Sequence, residues 1–359
     1  MTEDKIKEVL SGINEPALNV DFVKLGFVNA ISLNGNNLKL TLGISDLQEN
    51  ILNETKELII KEFNSSLPEI KNIEIVFTQG ITEHINEKKS SVLPGVKNTI
   101  AVASGKGGVG KSTIAVNIAV SLAEKGFKVG LIDADIYGPS IPLMFDLKGK
   151  PSITKSGDKN KLVPMEKYGV KVMSIGFLME SNTAVVWRGP MASSALKQFM
   201  SDVVWGDLDF LLFDMPPGTG DIQLTLSQTI PLTGAVIVTT PQEISIADAK
   251  KGYIMFEKVN VPTLGIIENM SYYVNPDGSK EYIFGRGGGR IMAEEFNVNL
   301  LGEIPINTRI REGGDEGNPA VLTDKDSGVI FSNIALDIIR EINIKNTERL
   351  ITPDVVIEI

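Results

Sequence analysis

The sequence predicts an α/β fold, a mainly parallel sheet with helices on both faces, preceded by a small α+β domain. Three observations predict it. From residue 98 onward, short apolar runs alternate with helical stretches, the pattern of a sheet covered on both sides. A glycine-rich turn, Gly105 to Ser112, joins the first of these strands to a helix. The first eighty or so residues keep a different rhythm, with a hairpin signal and one long amphipathic helix.

The small domain is expected over residues 1–81. A charged amphipathic helix at about 3–12 precedes an apolar stretch from Phe22 to Val28. The runs Ala30–Leu33 and Leu38–Leu42 flank Asn34-Gly35-Asn36-Asn37, residue types that tolerate the left-handed backbone of a tight hairpin. Leu47, Ile51, Leu52, Leu58, Ile59 and Phe63 recur near helical spacing over about 46–64, and Ile73–Phe77 reads as a strand. Residues 82–97 are polar, with Ser-Ser and Pro-Gly, and read as a linker. The main domain is expected over 98–359. Its strands fall near 98–103, 128–132, 170–175, 209–213, 234–239, 263–268 and 299–304. Its helices fall near 111–125, 191–203, 220–229, 243–258, 287–296 and 325–342. The closing ITPDVVIEI reads equally as an edge strand or a loose tail.

Composition narrows the function classes. The 359-residue chain carries a net charge of −10 and no dense Lys/Arg run, which argues against a large nucleic-acid footprint. The opening MTEDKIKEVL lacks a signal-peptide apolar core, and no segment approaches the roughly 18 apolar residues of a membrane span. A cytoplasmic protein without a membrane partner is expected. There is no cysteine and one histidine, His84, which removes disulfides, thiolate nucleophiles and any cysteine-ligated cluster built from this chain alone. Mg²⁺, which prefers oxygen ligands, is the metal this composition allows.

The run Gly105-Lys106-Gly107-Gly108-Val109-Gly110-Lys111-Ser112 is a phosphate-binding loop in its required context, after a strand and at the start of a helix. Glycines let successive N–H groups turn toward phosphate oxygens, and the helix adds its positive end. Lys111 is expected on the β- and γ-phosphates, Ser112 on Mg²⁺ and Thr113 on the α-phosphate. Two acidic segments end later strands, Asp133-Ala134-Asp135 and Asp214-Met215-Pro216-Pro217-Gly218-Thr219-Gly220-Asp221. Carboxylates at the carboxyl ends of parallel strands face the ligand crevice. Asp214 fits the carboxylate that holds Mg²⁺ through water, Asp133 supports the metal shell, and Asp135 orients the attacking water. Each has a plainer reading as a helix cap or strand-end turn.

These segments carry a resemblance. GKGGVGKS, with a second lysine at Lys106, resembles the deviant phosphate loop of the MinD-like, or SIMIBI, ATPases. In that family the early lysine reaches the partner's nucleotide, so the resemblance implies ATP, a catalytic role for Lys106 and a homodimer. Together with DADIYGPSIP, WRGPM (Trp187–Met191), DMPPGTGD, TTPQEISIADAKK and ENMSYY, it resembles the Mrp/ApbC branch, whose members are iron–sulfur cluster carriers or scaffolds. Apoproteins or assembly factors are then the implied partners, and an iron–sulfur cluster the implied cargo. Asn269 matches the family position that hydrogen-bonds adenine, with Pro305-Ile306-Asn307 near the base. The N-terminal domain resembles the one often fused to this branch, with Asn14-Glu15-Pro16 where Asp-Pro-Glu is usual.

The resemblance breaks at one place. The branch carries a C-P-x-C pair after Asn-Met-Ser-Tyr, and here Asn275 and Gly278 occupy the cysteine positions. Neither side chain offers the anionic sulfur of an Fe–S ligand, whereas Asn275-Pro276-Asp277-Gly278 is good β-turn chemistry. Three explanations stand open. Ligation has been lost and a scaffold role kept, or thiols come from elsewhere, or the cysteines were replaced by engineering. Two other function classes compete. One is a MinD- or ParA-like positioning ATPase. The other is a metabolic ATP-using enzyme of the dethiobiotin-synthetase kind, which would have no use for Lys106 across a dimer.

Overall fold

A computed structural model of the chain describes residues 2–136, 138–156, 159–178 and 189–351. Tyr137, Trp187, Arg188 and the tail from Thr352, all named above, lie outside the described residues. The chain forms two compact units, residues 1–84 with 339–359, and residues 85–338.

In the first unit, α1 (Glu3–Leu10) precedes the hairpin β1 (Val28–Asn34) and β2 (Asn37–Ile44), which turns at Gly35 with φ +61°. Helix α2 (Glu49–Ser66) crosses over to β3 (Asn72–Gln79), which pairs parallel to β2. The core gathers Ile6, Leu10, Phe22, Phe27, Leu40, Ile59 and Phe63. Glu15 is fully buried, and its carboxylate accepts from the backbone N–H groups of Ala17, Leu18 and Ser45 at 2.7–2.9 Å. The end of the chain's last helix joins this unit. Asn343 accepts from the Thr82 N–H at 2.8 Å and donates to the Gly80 carbonyl at 2.9 Å.

The second unit opens with α3 (Glu87–Val92), a short helix inside the stretch expected as a polar linker. Asn86 caps it, and the buried Lys89 donates to the Lys97 carbonyl at 2.7 Å. Then follow β4 (Val96–Ala103), α4 (Lys111–Glu124), β5 (Val129–Asp133) and the turn α5 (Ile141–Met144). A small hairpin, β6 (Ile153–Ser156) and β7 (Lys159–Leu162), precedes β8 (Met165–Lys167) and β9 (Val170–Ser174). Next come α6 (Gly189–Ser201), β10 (Leu208–Asp214), α7 (Asp221–Thr229), β11 (Gly234–Thr239), α8 (Glu243–Lys258) and β12 (Thr263–Glu268). The chain then passes through the hairpin β13 (Tyr273–Val274) and β14 (Lys280–Glu281), α9 (Gly288–Glu295) and β15 (Leu300–Glu303). It ends with α10 (Thr308–Glu316), α11 (Ala320–Thr323) and α12 (Lys325–Ile351).

The main sheet has the order β15-β12-β11-β4-β10-β5-β9-β8, parallel throughout except for the edge pair β8–β9. All seven expected strands and six expected helices of this unit occur, α12 running nine residues beyond its predicted end at 342. Strands β4, β10 and β11 are buried along almost their whole length, as a sheet covered on both faces demands. The chain first builds toward β5 and β9, inserts β10 between β4 and β5, then continues to β11, β12 and β15. The carboxyl ends of β4, β10 and β5 thus meet where the strand order reverses, the crevice in which such folds take ligands.

Candidate functional site

The loop after β4 is shaped by two demands on glycine. Gly110, the residue before α4, has φ +84°, a left-handed conformation that a side chain would oppose. Gly105 is needed for space, because a Cβ there would come within 2.2 Å of the Asp248 backbone on α8. Gly108 also has positive φ, and Val109 is buried. Gly107 and Gly108 face solvent and Lys106 is half-buried, with no ion pair to its ammonium among the described residues. Ser104 closes the loop from inside, its hydroxyl donating to the Lys106 carbonyl at 2.9 Å. Ser112 and Thr113 lie on the first turn of α4, both half-buried.

Lys111 is 6% exposed and turns into the sheet. Its ammonium donates to Asp214 Oδ1 and, at 3.3 Å, to Ser112 Oγ, and stands 4.0 Å from Asp135 Oδ2. Asp214 ends β10 and is fully buried; its Oδ2 has no hydrogen-bond partner among the described residues. Asp133, directly across in register on β5, accepts from the Ile141 N–H at 3.3 Å, the Asp135 N–H at 3.2 Å and the Ser174 hydroxyl at 2.9 Å. Burial, and then the charge of Asp214, push the Asp133 carboxyl well above the ordinary range, against the pull of Ser174, Ile141 and Lys111. Three carboxylates thus crowd one ammonium, and one buried oxygen is left unpaired. That donor set fits a hard divalent cation. Among the described residues, no three His, Asp or Glu side chains form a metal cage by themselves, so protein donors alone do not complete the shell.

The loop after β10 is tied to the phosphate loop. Met215 donates its N–H to the Val102 carbonyl at 3.0 Å, and Gly218 donates to the Ser104 carbonyl at 3.0 Å. A cleft of about 970 Å³ beside it is lined by Asp135, Lys197, Pro216, Pro217 and Gln223 among others.

Asn269 sits behind the phosphate loop. Its amide Nδ2 donates to the Val109 carbonyl at 2.8 Å and lies where a Gly110 Cβ would come within 2.3 Å. Asn307 caps α10, accepting from the Arg309 N–H at 2.9 Å, while the Ile306 N–H donates to the Tyr272 carbonyl at 2.7 Å. Two buried polar residues escaped the sequence reading. Ser174 ends β9 and holds Asp133, and only the strand register brings them together. Glu268 immediately precedes Asn269 and binds Ser271 and Gly289, a role visible only once α9 is in place.

Asn275 to Ser279 form the turn between β13 and β14. The Asn275 N–H donates to the Ser279 carbonyl and the Gly278 N–H to the Asn275 carbonyl, each at 2.9 Å. Hydrogen bonds from the Ser279 hydroxyl and N–H hold the exposed Asp277 carboxyl below its usual range.

Known proteins share this architecture. The family described as NUBPL iron-transfer P-loop NTPase matches residues 95–343, and one described as iron–sulfur cluster assembly protein matches residues 3–75. An iron–sulfur cluster carrier protein of Synechocystis is 42% identical over 91% of this chain and 93% of its own length. One from Escherichia coli K12 is 44% identical over 89% of this chain and 86% of its own. Among solved structures, a nucleotide-binding protein of Archaeoglobus fulgidus in complex with ADP is 41% identical, with a TM-score of 0.56 over 65% of this chain and 91% of that one. The chain therefore belongs to the iron–sulfur cluster carrier family of P-loop NTPases.

Proposed function

We propose that this chain binds and slowly hydrolyses ATP with Mg²⁺, as the motor of a homodimer acting in iron–sulfur cluster assembly or transfer to apoproteins. The observation that carries the reading is the placement of the Lys111 ammonium beside Asp214, Asp135 and Ser112 at the head of a glycine loop. Mg²⁺, when bound, would be held by Ser112 and Asp214 and would neutralise charge on the phosphates. The loop N–H groups from Gly105 to Ser112 cradle the phosphates, and Thr113 follows on the α-phosphate. Lys111 leaves Asp214 for the β- and γ-oxygens. Asp135 holds the attacking water, and Asp133 fixes Asp135 through its backbone N–H. The half-buried Lys106 lies beside the solvent-facing Gly107 and Gly108, with no ion pair among the described residues, which supports its reach to the partner's nucleotide. Asn269 contributes to the nucleotide site by bracing the loop and, in our reading, by meeting the base.

The domain division we infer is an accessory domain over 1–81, a connecting stretch over 82–97 and the nucleotide-handling domain from 98. It is in keeping with the family matches over 3–75 and 95–343, although the second compact unit already begins at 85 and the end of the last helix joins the first. With no cysteine in the chain, sulfur ligands for any cargo cluster come from partner proteins or small thiols. We further propose a cytoplasmic setting without a membrane partner; no helix among the described residues is long and apolar enough to cross a membrane. The test is Lys111→Ala, titrated with a fluorescent ATP analogue and Mg²⁺. Loss of a buried charge-assisted contact of ~2–3 kcal/mol predicts about 30- to 150-fold weaker binding and no turnover. Unchanged binding and turnover would overturn the reading.

A further inference from the structure

One short segment touches both the phosphate loop and the hairpin region, and nothing in the family assignment gives it a task. Glu268 is fully buried at the end of β12. Its Oε1 accepts from the Ser271 hydroxyl and its Oε2 from the Gly289 N–H, each at 2.5 Å. Space around it is tight, since a Cβ on Gly289 would come within 3.0 Å of the Glu268 Cβ. One carboxylate thus clamps the root of the β13–β14 hairpin to the start of α9. The next residue, Asn269, donates to the Val109 carbonyl inside the phosphate loop. Met270 follows with φ +54°, a conformation that costs a side-chain-bearing residue of order 1 kcal/mol and persists only when its surroundings impose it. The Ser271 N–H then donates to the Ile304 carbonyl at 2.9 Å, fixing the far end.

We infer that Glu268 is a positioning residue that transmits the nucleotide state of the phosphate loop, through Asn269, to the hairpin and α9 over residues 271–289. This rests on the nucleotide reading proposed above. The physical warrant is a shared backbone. Phosphate binding orients the N–H groups of the loop, and the Val109–Gly110 peptide that presents one of them also presents the carbonyl held by Asn269. A shift there pulls on a four-residue turn held under strain at Met270. The turn's other grip is a carboxylate whose two oxygens hold two different elements. Coupling requires that a ligand make different contacts in two arrangements, and this turn is the element both sides bias.

The test is hydrogen exchange with and without Mg²⁺ and a slowly hydrolysed ATP analogue, on the full chain, with analogue affinity measured in parallel. In the wild type, nucleotide should slow exchange of 271–289 amides by about fivefold or more, alongside the loop itself. Glu268→Gln, nearly isosteric but with one acceptor turned donor, should keep loop protection and affinity within about threefold, yet lose the response at 271–289. Ser271→Ala removes one donor to the clamp and should halve the response; it carries the test if Glu268→Gln fails to fold. Glu268→Asp, which keeps both acceptors, should restore part of it. A full response at 271–289 in Glu268→Gln overturns the inference, as does a full response in Ser271→Ala where Glu268→Gln does not fold. A wild-type chain that binds nucleotide without any change at 271–289 overturns it alone, whereas one that binds no nucleotide overturns the nucleotide reading as well.

Discussion

Asp133 has almost no contact with water, and its two oxygens accept from Ile141, Asp135 and Ser174 while the Asp214 carboxylate stands beside it. Burial and that neighbouring charge raise its pKa, so the folded chain holds a proton here that the unfolded chain releases. The sign follows. The contribution is fully present below the unfolded value near ~3.9 and is lost as pH rises through the raised folded value. Asp133→Asn, neutral at every pH, should therefore gain on the wild type as pH climbs from about 4. Denaturant unfolding over a pH series measures it. Two curves that stay parallel would count against a raised Asp133. At this scale the sequence was informative about which carboxylates converge on Lys111, because motif and strand end place them together. It assigned each a role, but not the partners that hold it in place. That Asp133 has its oxygens filled while Asp214 keeps one free depends on Ser174 and Ile141, which only the register delivers.

Helix α2 shows how an element is both legible and vulnerable. Its buried face carries Thr55, Ile59 and Phe63, and Phe63 is wholly enclosed by the first unit's core. Phe63→Ala should cost about 3–5 kcal/mol. Faster exchange of the β2 and β3 amides, with β4 and β10 unaffected, would register it; an unchanged β2 would argue that the helix does not hold this sheet. Short apolar runs likewise revealed every strand of the main sheet except β8; the separate hairpins β6–β7 and β13–β14 also escaped, all of these strands being two to four residues long. Where polar residues supply the packing, pattern fails. The last helix reads as ending at 342, where Asn343 and Asn346 follow, yet Asn343 bonds Gly80 and Thr82, the Asn346 Nδ2 donates to Thr82, and the helix continues. Helix α3 was hidden likewise, since a buried lysine bonded to a carbonyl looks in sequence like a solvated one.

For the whole molecule, the question is what a P-loop NTPase of a carrier family does without thiols. The β13–β14 turn is closed by its own hydrogen bonds, and Gly278 there has φ +84°. The purified chain, reconstituted anaerobically with iron and sulfide, is expected to hold no stoichiometric iron. The double substitution Asn275→Cys with Gly278→Cys should gain a visible cluster absorption, reduced by the strain of a side chain at the left-handed position. Stable, stoichiometric iron in the unmodified chain would contradict the reading of these two positions. Family membership was legible from half a dozen motifs; the cargo question arises from two residues that break one of them.

The same turn offers a use that has nothing to do with iron. A protein without a single thiol has no background in maleimide or spin-label chemistry. Ser279→Cys, at an exposed position, would carry one probe per chain at a known place. In the homodimer proposed above, two such probes would report the separation of the hairpins by dipolar spectroscopy, nucleotide by nucleotide.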